Sequence, residues 1–94
     1  MARVTRVVRI DLGEAFEQEG PEVCAAARDV FPTIPGVRSF WAGTGAGAVD
    51  LVFLVGFDSL EDVEAYRVHP IHVAFVQDEL RRRGAAVDAR NFVA

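Results

Sequence analysis

The sequence predicts an α+β domain with the ferredoxin-like order β-α-β-β-α-β, in which helices cover one face of a four-stranded antiparallel sheet. Four segments alternate apolar and polar residues with the period of two that is typical of strands, and two further segments carry apolar residues at helical spacing. The 94 residues are 51% apolar and 26% charged, which suits one globular domain over residues 1–94.

The four strands are predicted at residues 3–12, 37–44, 48–57 and 85–93. In the first strand, Arg6 shares a face with Val4, Val8 and Ile10. A basic residue in an apolar row is either a strand-end side chain that reaches solvent or a site residue. Both interpretations of Arg6 remain open at this stage.

The first helix is predicted to begin at Gly20-Pro21, because proline is well tolerated at the first helical position, and to end before Pro32. Cys24 lies within it and is the single cysteine, so we interpret it as a small buried hydrophobe. The stretch from Gly43 to Gly47 predicts a hairpin loop, because it lacks the spacing and the following lysine of a phosphate-binding loop.

The segment after the third strand predicts two helices separated by a proline. Asp58 is the expected N-cap, with Glu61 three residues later as in a capping box. Pro70 should end the first helix near residue 68 and begin a second helix that runs to residue 83, where Gly84 stops it. The arginines at positions 81–83 are interpreted as a solvated helix end.

The third strand is apolar on both faces over residues 51–55, yet two helices can cover only one face of the sheet. A large exposed apolar face marks an association site. We therefore expect a homodimer in which two sheets pack face to face.

Charge and composition exclude several function classes. The net charge of −4 comes from 14 acidic and 10 basic residues, without a basic stripe, which argues against nucleic acid as a partner. No stretch has the apolar length of a signal peptide or a membrane span, so we expect a cytoplasmic protein without a membrane partner.

Both histidines and the single tyrosine lie within seven positions, at Tyr66, His69 and His72. Histidine is the side chain whose unperturbed pKa lies nearest neutrality, so His72 is either a general base or a satisfied helix histidine. Tyr66 either acts beside it or fills the core. His69 precedes Pro70 and suits an elbow or cap, and because no third ligand has suitable spacing we expect no metal.

The run Tyr66-Arg-Val-His-Pro-Ile-His-Val-Ala-Phe75, with Phe57 before it and Ile34-Pro-Gly-Val37 upstream, resembles the stress-responsive dimeric α/β-barrel family. The resemblance covers nearly the whole chain and implies a dimeric α/β barrel. The family includes a plant polyketide (olivetolic acid) cyclase, which closes a linear tetraketide by aldol condensation. By motif position, its cooperating tyrosine and histidine correspond to Tyr66 and His72.

An aldol closure needs a base to take an acidic α-proton and a donor to the carbonyl oxygen that gains charge, and imidazole and phenol suit these roles. The sequence departs from the cyclase at Arg6 and near Leu51, where the cyclase has histidines. Arg6 is therefore a candidate for gripping a carboxylate or polyphenol oxygen. Further candidate substrate contacts are Phe53, Trp41 and Phe75.

Three function hypotheses follow. The first is a small cofactor-free enzyme of polyketide or aromatic metabolism, a cyclase or lyase that uses Tyr66 and His72 in a pocket between helices and sheet. The second is a non-catalytic dimeric protein that binds a small molecule or is associated with stress. The third is a cofactor-independent monooxygenase of a related barrel family. It is the weakest of the three, because the His-Pro-x-His run resembles the stress-responsive family instead.

Overall fold

The structure is a computed structural model that describes residues 3–46 and 50–94 and, within them, the side chains of all but residues 15–17. Its strands are β1 (Val4–Asp11), β2 (Ser39–Thr44), β3 (Asp50–Phe57) and β4 (Ala86–Val93). Its helices are α1 (Phe16–Val30), α2 (Leu60–Val68) and α3 (Pro70–Phe75). Gly47 of the predicted hairpin loop and residues 48 and 49 of the predicted third strand lie outside the described residues.

The strands form one antiparallel sheet in the order β2-β3-β1-β4. The predicted ferredoxin-like fold is thereby confirmed. The register places Val8 of β1 between Phe53 of β3 and Ala89 of β4. Because side chains alternate along a strand, this register determines which residues of all four strands share a face.

The core lies between the sheet and the helices. On that face β3 contributes four buried side chains, Leu51, Phe53, Val55 and Phe57, and β1 contributes three, Val4, Val8 and Ile10. The opposite face of the sheet is also apolar in part, with Trp41 53% exposed and Leu54 36% exposed. The two-sided apolar pattern of the third strand therefore corresponds to one buried face and one face without a cover in the single chain.

Helix α1 begins earlier than the sequence predicts. It starts at Phe16, so Pro21 lies inside the helix instead of at its first position. Proline removes the hydrogen bond from its own nitrogen and crowds the carbonyl four residues before it, but its fixed φ angle is compatible with a helix, and Pro21 lies only in the second turn. Val23 and Ala27, both fully buried, anchor the following turns in the core.

The N-cap of α2 is Ser59, and the prediction of Asp58 was wrong. The backbone N–H of Asp62 donates to Ser59 Oγ (3.2 Å). Asp58 instead accepts from Arg38 Nε (2.7 Å) near the start of β2. Both residue types cap well, so the choice depends on where the chain leaves β3, which local sequence does not determine.

The helical path from Pro70 to residue 83 occurs as predicted, but it is not a uniform α-helix. A π-helical turn, Val76–Leu80, and a 3-10 turn, Arg81–Arg83, follow α3. Gly84, with a φ of 70°, ends the path in the left-handed conformation that glycine adopts without strain. No helix among residues 3–46 and 50–94 is long and apolar enough to cross a membrane.

The last arginine of the predicted solvated helix end is buried, which corrects that prediction. The Arg83 side chain is 6% exposed and pairs with Glu19 of α1 (3.0 Å) and with Glu79 (3.1 Å), while Glu22 lies 3.6 Å away. The acids at 19 and 22 are more than 60 positions away in sequence, and only the fold brings them to this arginine. The cluster joins α1 to the end of the C-terminal helical segment, by which we mean residues 70–83.

The cap of α2 can be tested by substitution. We expect Ser59→Ala to lower the free energy of unfolding by about 1 kcal/mol, since the N–H of Asp62 loses its partner. Asp58→Ala is the matched control and should cost less, because it removes an exposed ion pair. Urea unfolding followed by circular dichroism measures both, and a larger loss for Asp58→Ala would contradict the assignment.

Candidate functional site

The candidate site forms where Pro70 interrupts the helical segment. Pro70 has no N–H, so the carbonyl of Tyr66 accepts from the N–H of His69 (3.1 Å). The N–H of Ile71 turns to the ring nitrogen Nδ1 of His69 (3.1 Å), which makes His69 the N-cap of α3. In an uninterrupted helix the N–H of residue 71 would bond the carbonyl of Arg67, and here that carbonyl is left for another donor.

The other donor is His72. Its Nδ1 lies 3.0 Å from the Arg67 carbonyl oxygen. Because a carbonyl oxygen can only accept, Nδ1 carries the proton of the neutral ring and Nε2 keeps the basic lone pair. The backbone thus holds the imidazole in one tautomer, with a free base nitrogen.

Tyr66 packs directly against this imidazole. The two ring centroids are 4.2 Å apart, and the phenol ring also contacts Phe57 (4.9 Å) and Phe31 (6.0 Å). No hydrogen-bond partner for the Tyr66 hydroxyl occurs among the described residues, and it is not among fully buried atoms that lack one. Tyr66 as a whole is only 1% exposed, so the space that its side chain meets is the small space beside the imidazole and not bulk solvent.

That space is a cavity of about 130 Å³ between the sheet and the C-terminal helical segment. Arg6, Tyr66 and His72 supply its polar groups, and its remaining lining is apolar: Val8, Phe31, Phe53, Val76, Leu80, Val87 and Ala89. A second, more open groove of about 320 Å³ shares His72 and Val76 with the cavity and adds Arg67, Val73, Gln77 and Arg81. His72 therefore lies at the boundary of an inner apolar cavity and an outer polar groove.

Burial and charge shift both titratable groups of the pair. Burial lowers the pKa of His72 below 6.5, the hydrogen bond to the Arg67 carbonyl opposes this, and the positive charges of Arg6 and Arg67 lower it further. Burial raises the pKa of Tyr66 well above its ordinary value of 10, although the charge of Arg6 opposes the rise. At neutral pH the site holds a neutral imidazole and a neutral phenol.

The three other candidate substrate contacts, Phe53, Phe75 and Trp41, lie at different distances from the cavity. Phe53 lines the cavity. Phe75 packs behind it, with its ring 5.0 Å from that of Phe31 and 6.2 Å from that of Phe53. Trp41 lies on the opposite face of the sheet, because its β2 neighbour Ala42 pairs with the core residue Phe53. Its assignment as a contact in the same cavity is therefore corrected.

Two residues of the site were not singled out from the sequence. Phe31, just after α1, contacts the rings of both Tyr66 and His72, and Asn91 of β4 accepts from Arg6 Nη1 (2.9 Å). Phe31 could have been suspected as the last apolar residue before Pro32. Asn91 carried no signal, since its nearness to Arg6 depends on β4 pairing with β1.

Two further chemistries, a cysteine nucleophile and a metal site, receive no support from the geometry of the described residues. Cys24 is buried in the core, and burial raises the pKa of its thiol, so the reactive thiolate is disfavoured. Among residues 3–46 and 50–94, no three His, Cys, Asp or Glu side chains are grouped as a metal site would require.

Comparison with known proteins gives a family match by sequence profile and similar folds by structure. The profile of the family described as the stress responsive A/B barrel domain matches residues 4–88. A comparison with curated protein sequences finds no significant match.

Three solved structures are similar throughout. A cofactor-independent oxygenase of Streptomyces nogalater, SnoaB, is 17% identical, with a TM-score of 0.79 over 100% of this chain and 94% of its own. An Arabidopsis thaliana protein is 21% identical, with a TM-score of 0.79 over 97% and 94%. A dimeric protein of unknown function with a ferredoxin-like fold from Bacteroides fragilis is 21% identical, with a TM-score of 0.76 over 97% and 95%. At these identities the similarity shows the shared fold.

The protonation of His72 gives a direct test of the site. In imidazole NMR titrations we expect a pKa below 6.5 for His72, and Arg6→Gln should raise it, because a positive charge that disfavours imidazolium is removed. Any activity that needs the neutral ring should persist to lower pH than an ordinary imidazole would allow, and should be lost only as the pH falls through the lowered pKa of His72. Arg9→Gln on the opposite face of β1 should leave the titration unchanged. An unshifted His72, or an equal effect of both variants, would contradict the geometry.

Proposed function

We propose that this chain, which belongs to the stress responsive A/B barrel domain family, is a small cofactor-free enzyme of polyketide or aromatic metabolism that uses Tyr66 and His72. One observation supports it above the others. The His72 imidazole, fixed with Nε2 as its base nitrogen, contacts a tyrosine whose hydroxyl is free of the described protein groups, and both line an apolar cavity. A residue pair that only filled the core would have its polar atoms satisfied internally.

The pair supports proton abstraction next to a carbonyl. His72 Nε2 takes an acidic C–H proton, and the resulting enolate is stabilised by a hydrogen bond from the Tyr66 hydroxyl. In an aldol cyclisation the enolate carbon then forms a bond to a second carbonyl carbon, and the oxygen of that carbonyl receives the proton held by the imidazolium. Loss of water from the ring completes the aromatic product. The high pKa of Tyr66 keeps the phenol a donor throughout.

A second candidate reaction shares the first step. SnoaB, which has this fold, is described as a cofactor-independent oxygenase. The same enolate or phenolate can pass electrons to dissolved oxygen, which is the oxidant in that case. The product gains one oxygen atom as a ketone, and the other leaves as water together with the two hydrogens lost from the carbon.

The cavity favours a single ring or chain segment as the reacting part. Its volume of about 130 Å³ is below the roughly 300–1,000 Å³ of sites that enclose drug-sized ligands. A longer substrate would extend past His72 into the outer groove of about 320 Å³, which is lined by Arg67, Gln77 and Arg81.

The apolar outer face of the sheet supports a homodimer. On this face Trp41 lies beside Leu54, which in turn lies beside Val7, so that the three form one row across β2, β3 and β1. The indole rests against Gly43, where an added Cβ would stand 2.5 Å from Trp41 Cη2. Such a row, open to solvent in the single chain, suits the sheet-to-sheet contact of a symmetric dimer.

Turnover of a synthetic linear tetraketide, supplied both as the free acid and as a thioester, tests the enzymatic proposal. We expect His72→Asn to lower kcat/KM by about 10²- to 10⁴-fold, because the base is lost while the amide N–H can still reach the Arg67 carbonyl. Tyr66→Phe, which removes only the hydroxyl, should lower it by about 10²- to 10³-fold. Chromatography of the aromatic and lactone products and an oxygen electrode follow the reaction.

The outcomes separate the hypotheses. Oxygen uptake in step with product identifies the oxygenase chemistry, and aromatic product without uptake identifies the cyclase. Leu60→Asp, an exposed change at the start of α2, serves as the control and should keep full turnover. Unaltered turnover in His72→Asn would remove His72 from the mechanism, and absence of turnover in the native protein would favour the non-catalytic binding protein.

The dimer can be tested by its mass in solution. At micromolar concentration, light scattering should give twice the 10.3 kDa of one chain, and Leu54→Asp should give one chain mass because it buries a charge in the contact. The same Leu60→Asp variant is the matched control, since position 60 is exposed on the helical side. A native protein that runs as a single chain would refute the dimer.

A further inference from the structure

Arg6 is placed where a strand residue of this fold would ordinarily be apolar. It lies on the helix-facing side of β1, in the same row as Val4, Val8 and Ile10, and between Val55 of β3 and Asn91 of β4. Its side chain lines the cavity together with Tyr66 and His72. A guanidinium in such a position puts a permanent positive charge into a largely apolar space.

No protein carboxylate neutralises that charge in the part of the chain that the structure describes. The salt bridges of residues 3–46 and 50–94 involve Arg9, Arg38, Arg67, Arg83 and Arg90, each with an acid within 4.0 Å. The protein partner of the Arg6 guanidinium is the amide oxygen of Asn91, which is neutral and takes one of its five donors. The cavity lining contains no Asp or Glu.

Arg83 is a structural arginine of the same chain and can be compared with Arg6. That side chain is buried and surrounded by Glu19, Glu22 and Glu79, so its charge is compensated within the protein. Desolvating a charge without such compensation is costly. Arg6 is half-buried and its contact with Asn91 is exposed, so its charge is only partly desolvated, but the cavity that it lines offers no acid to pair with it.

We propose that Arg6 is the anion-recognition residue of the cavity and that the ligand is a single-ring aromatic or enolic monocarboxylic acid. The proposal rests on the proposed function, because it assigns the substrate class of the same site. The carboxylate would pair with the planar donors of the Arg6 guanidinium, which match its two oxygens, while Asn91 Oδ1 continues to accept from Arg6 Nη1. The ring would lie between Phe31 and Phe53, with its reacting edge toward Tyr66 and His72.

The size of the cavity limits the ligand to one ring. An apolar protein cavity of about 150 Å³ holds a benzene molecule, and the volume here is about 130 Å³. Val87 of β4 lies in the cavity lining on the helix-facing side and remains 49% exposed, so ring substituents could extend past it toward solvent. Neutral rings fit the same space but leave the Arg6 charge unpaired.

Benzoate and benzamide make a matched pair of probes, because they share a shape and differ in charge. Calorimetry on the native chain should show benzoate binding at least about 10-fold more tightly than benzamide, as expected for a hydrogen bond to a charged group. Arg6→Gln should remove this preference by weakening benzoate about 10- to 100-fold while leaving benzamide unchanged. Arg6→Lys, which keeps the charge without the fork, should give an intermediate preference.

Arg9→Gln is the matched control on the same strand. Arg9 projects from the opposite face and is paired with Asp50 (3.0 Å), so its loss should leave the benzoate preference intact. NMR shifts of the Arg6 Nε–H and the His72 ring on adding benzoate should locate the ligand in the cavity. Equal binding of the two probes by the native chain, no binding of benzoate at millimolar concentration, or loss of preference in Arg9→Gln would overturn the proposal.

His72→Asn separates this proposal from the enzymatic one. It removes the base but not the guanidinium, so the preference for benzoate should persist in it. A native chain that prefers benzoate but does not turn over the tetraketide keeps Arg6 as an anion site and rejects the chemistry. Turnover in a chain that binds benzoate and benzamide equally keeps the chemistry and rejects the role of Arg6.

Discussion

Pro70 lacks a backbone N–H, and the hydrogen bonding of the candidate site follows from that one missing donor. The Tyr66 carbonyl takes the N–H of His69 in its place, and the N–H of Ile71 turns to the His69 ring. The Arg67 carbonyl is then free to accept from His72, which fixes the neutral imidazole with its lone pair on Nε2. A local rule about proline therefore determines the tautomer of the proposed base. A substitution at Pro70 would act on chemistry as well as on helix geometry.

Local rules of this kind were also the part of the fold that the sequence could predict. The end of α2 and the start of α3 depend on the proline itself, and Gly84 ends the helical path by its own backbone freedom. The strands followed from alternation, because each residue's face depends only on its position in the strand. By contrast, the start of α1 and the choice of Ser59 over Asp58 as N-cap depend on how the chain leaves the sheet. The environment of Arg83 depends on acids from another helix.

The candidate site also contains some contacts that local sequence predicts and others that depend on the pairing of strands. The contact of Tyr66 with His72 was predictable, since both belong to one short helical segment with a recognisable motif. Alternation alone could not say which face of β2 joins the core, and so Trp41 was assigned to the wrong side of the sheet. The pairing of Ala42 with Phe53 decides it. The nearness of Asn91 to Arg6 likewise requires β4 to pair with β1, a contact between residues 85 positions apart.

The electrostatics of the cavity connect these features to a class of reaction. A neutral base, a neutral donor and an uncompensated cation surround one small apolar space, so negative charge is the charge that this space stabilises. Enolate formation generates negative charge, and both the aldol and the oxygenase routes begin with it. The same cation that lowers the pKa of His72 also weakens it as a base, since a lower pKa means a smaller driving force for taking a proton. An anion paired with Arg6 would relieve that effect when the ligand arrives, which would make the base strongest when a substrate is bound.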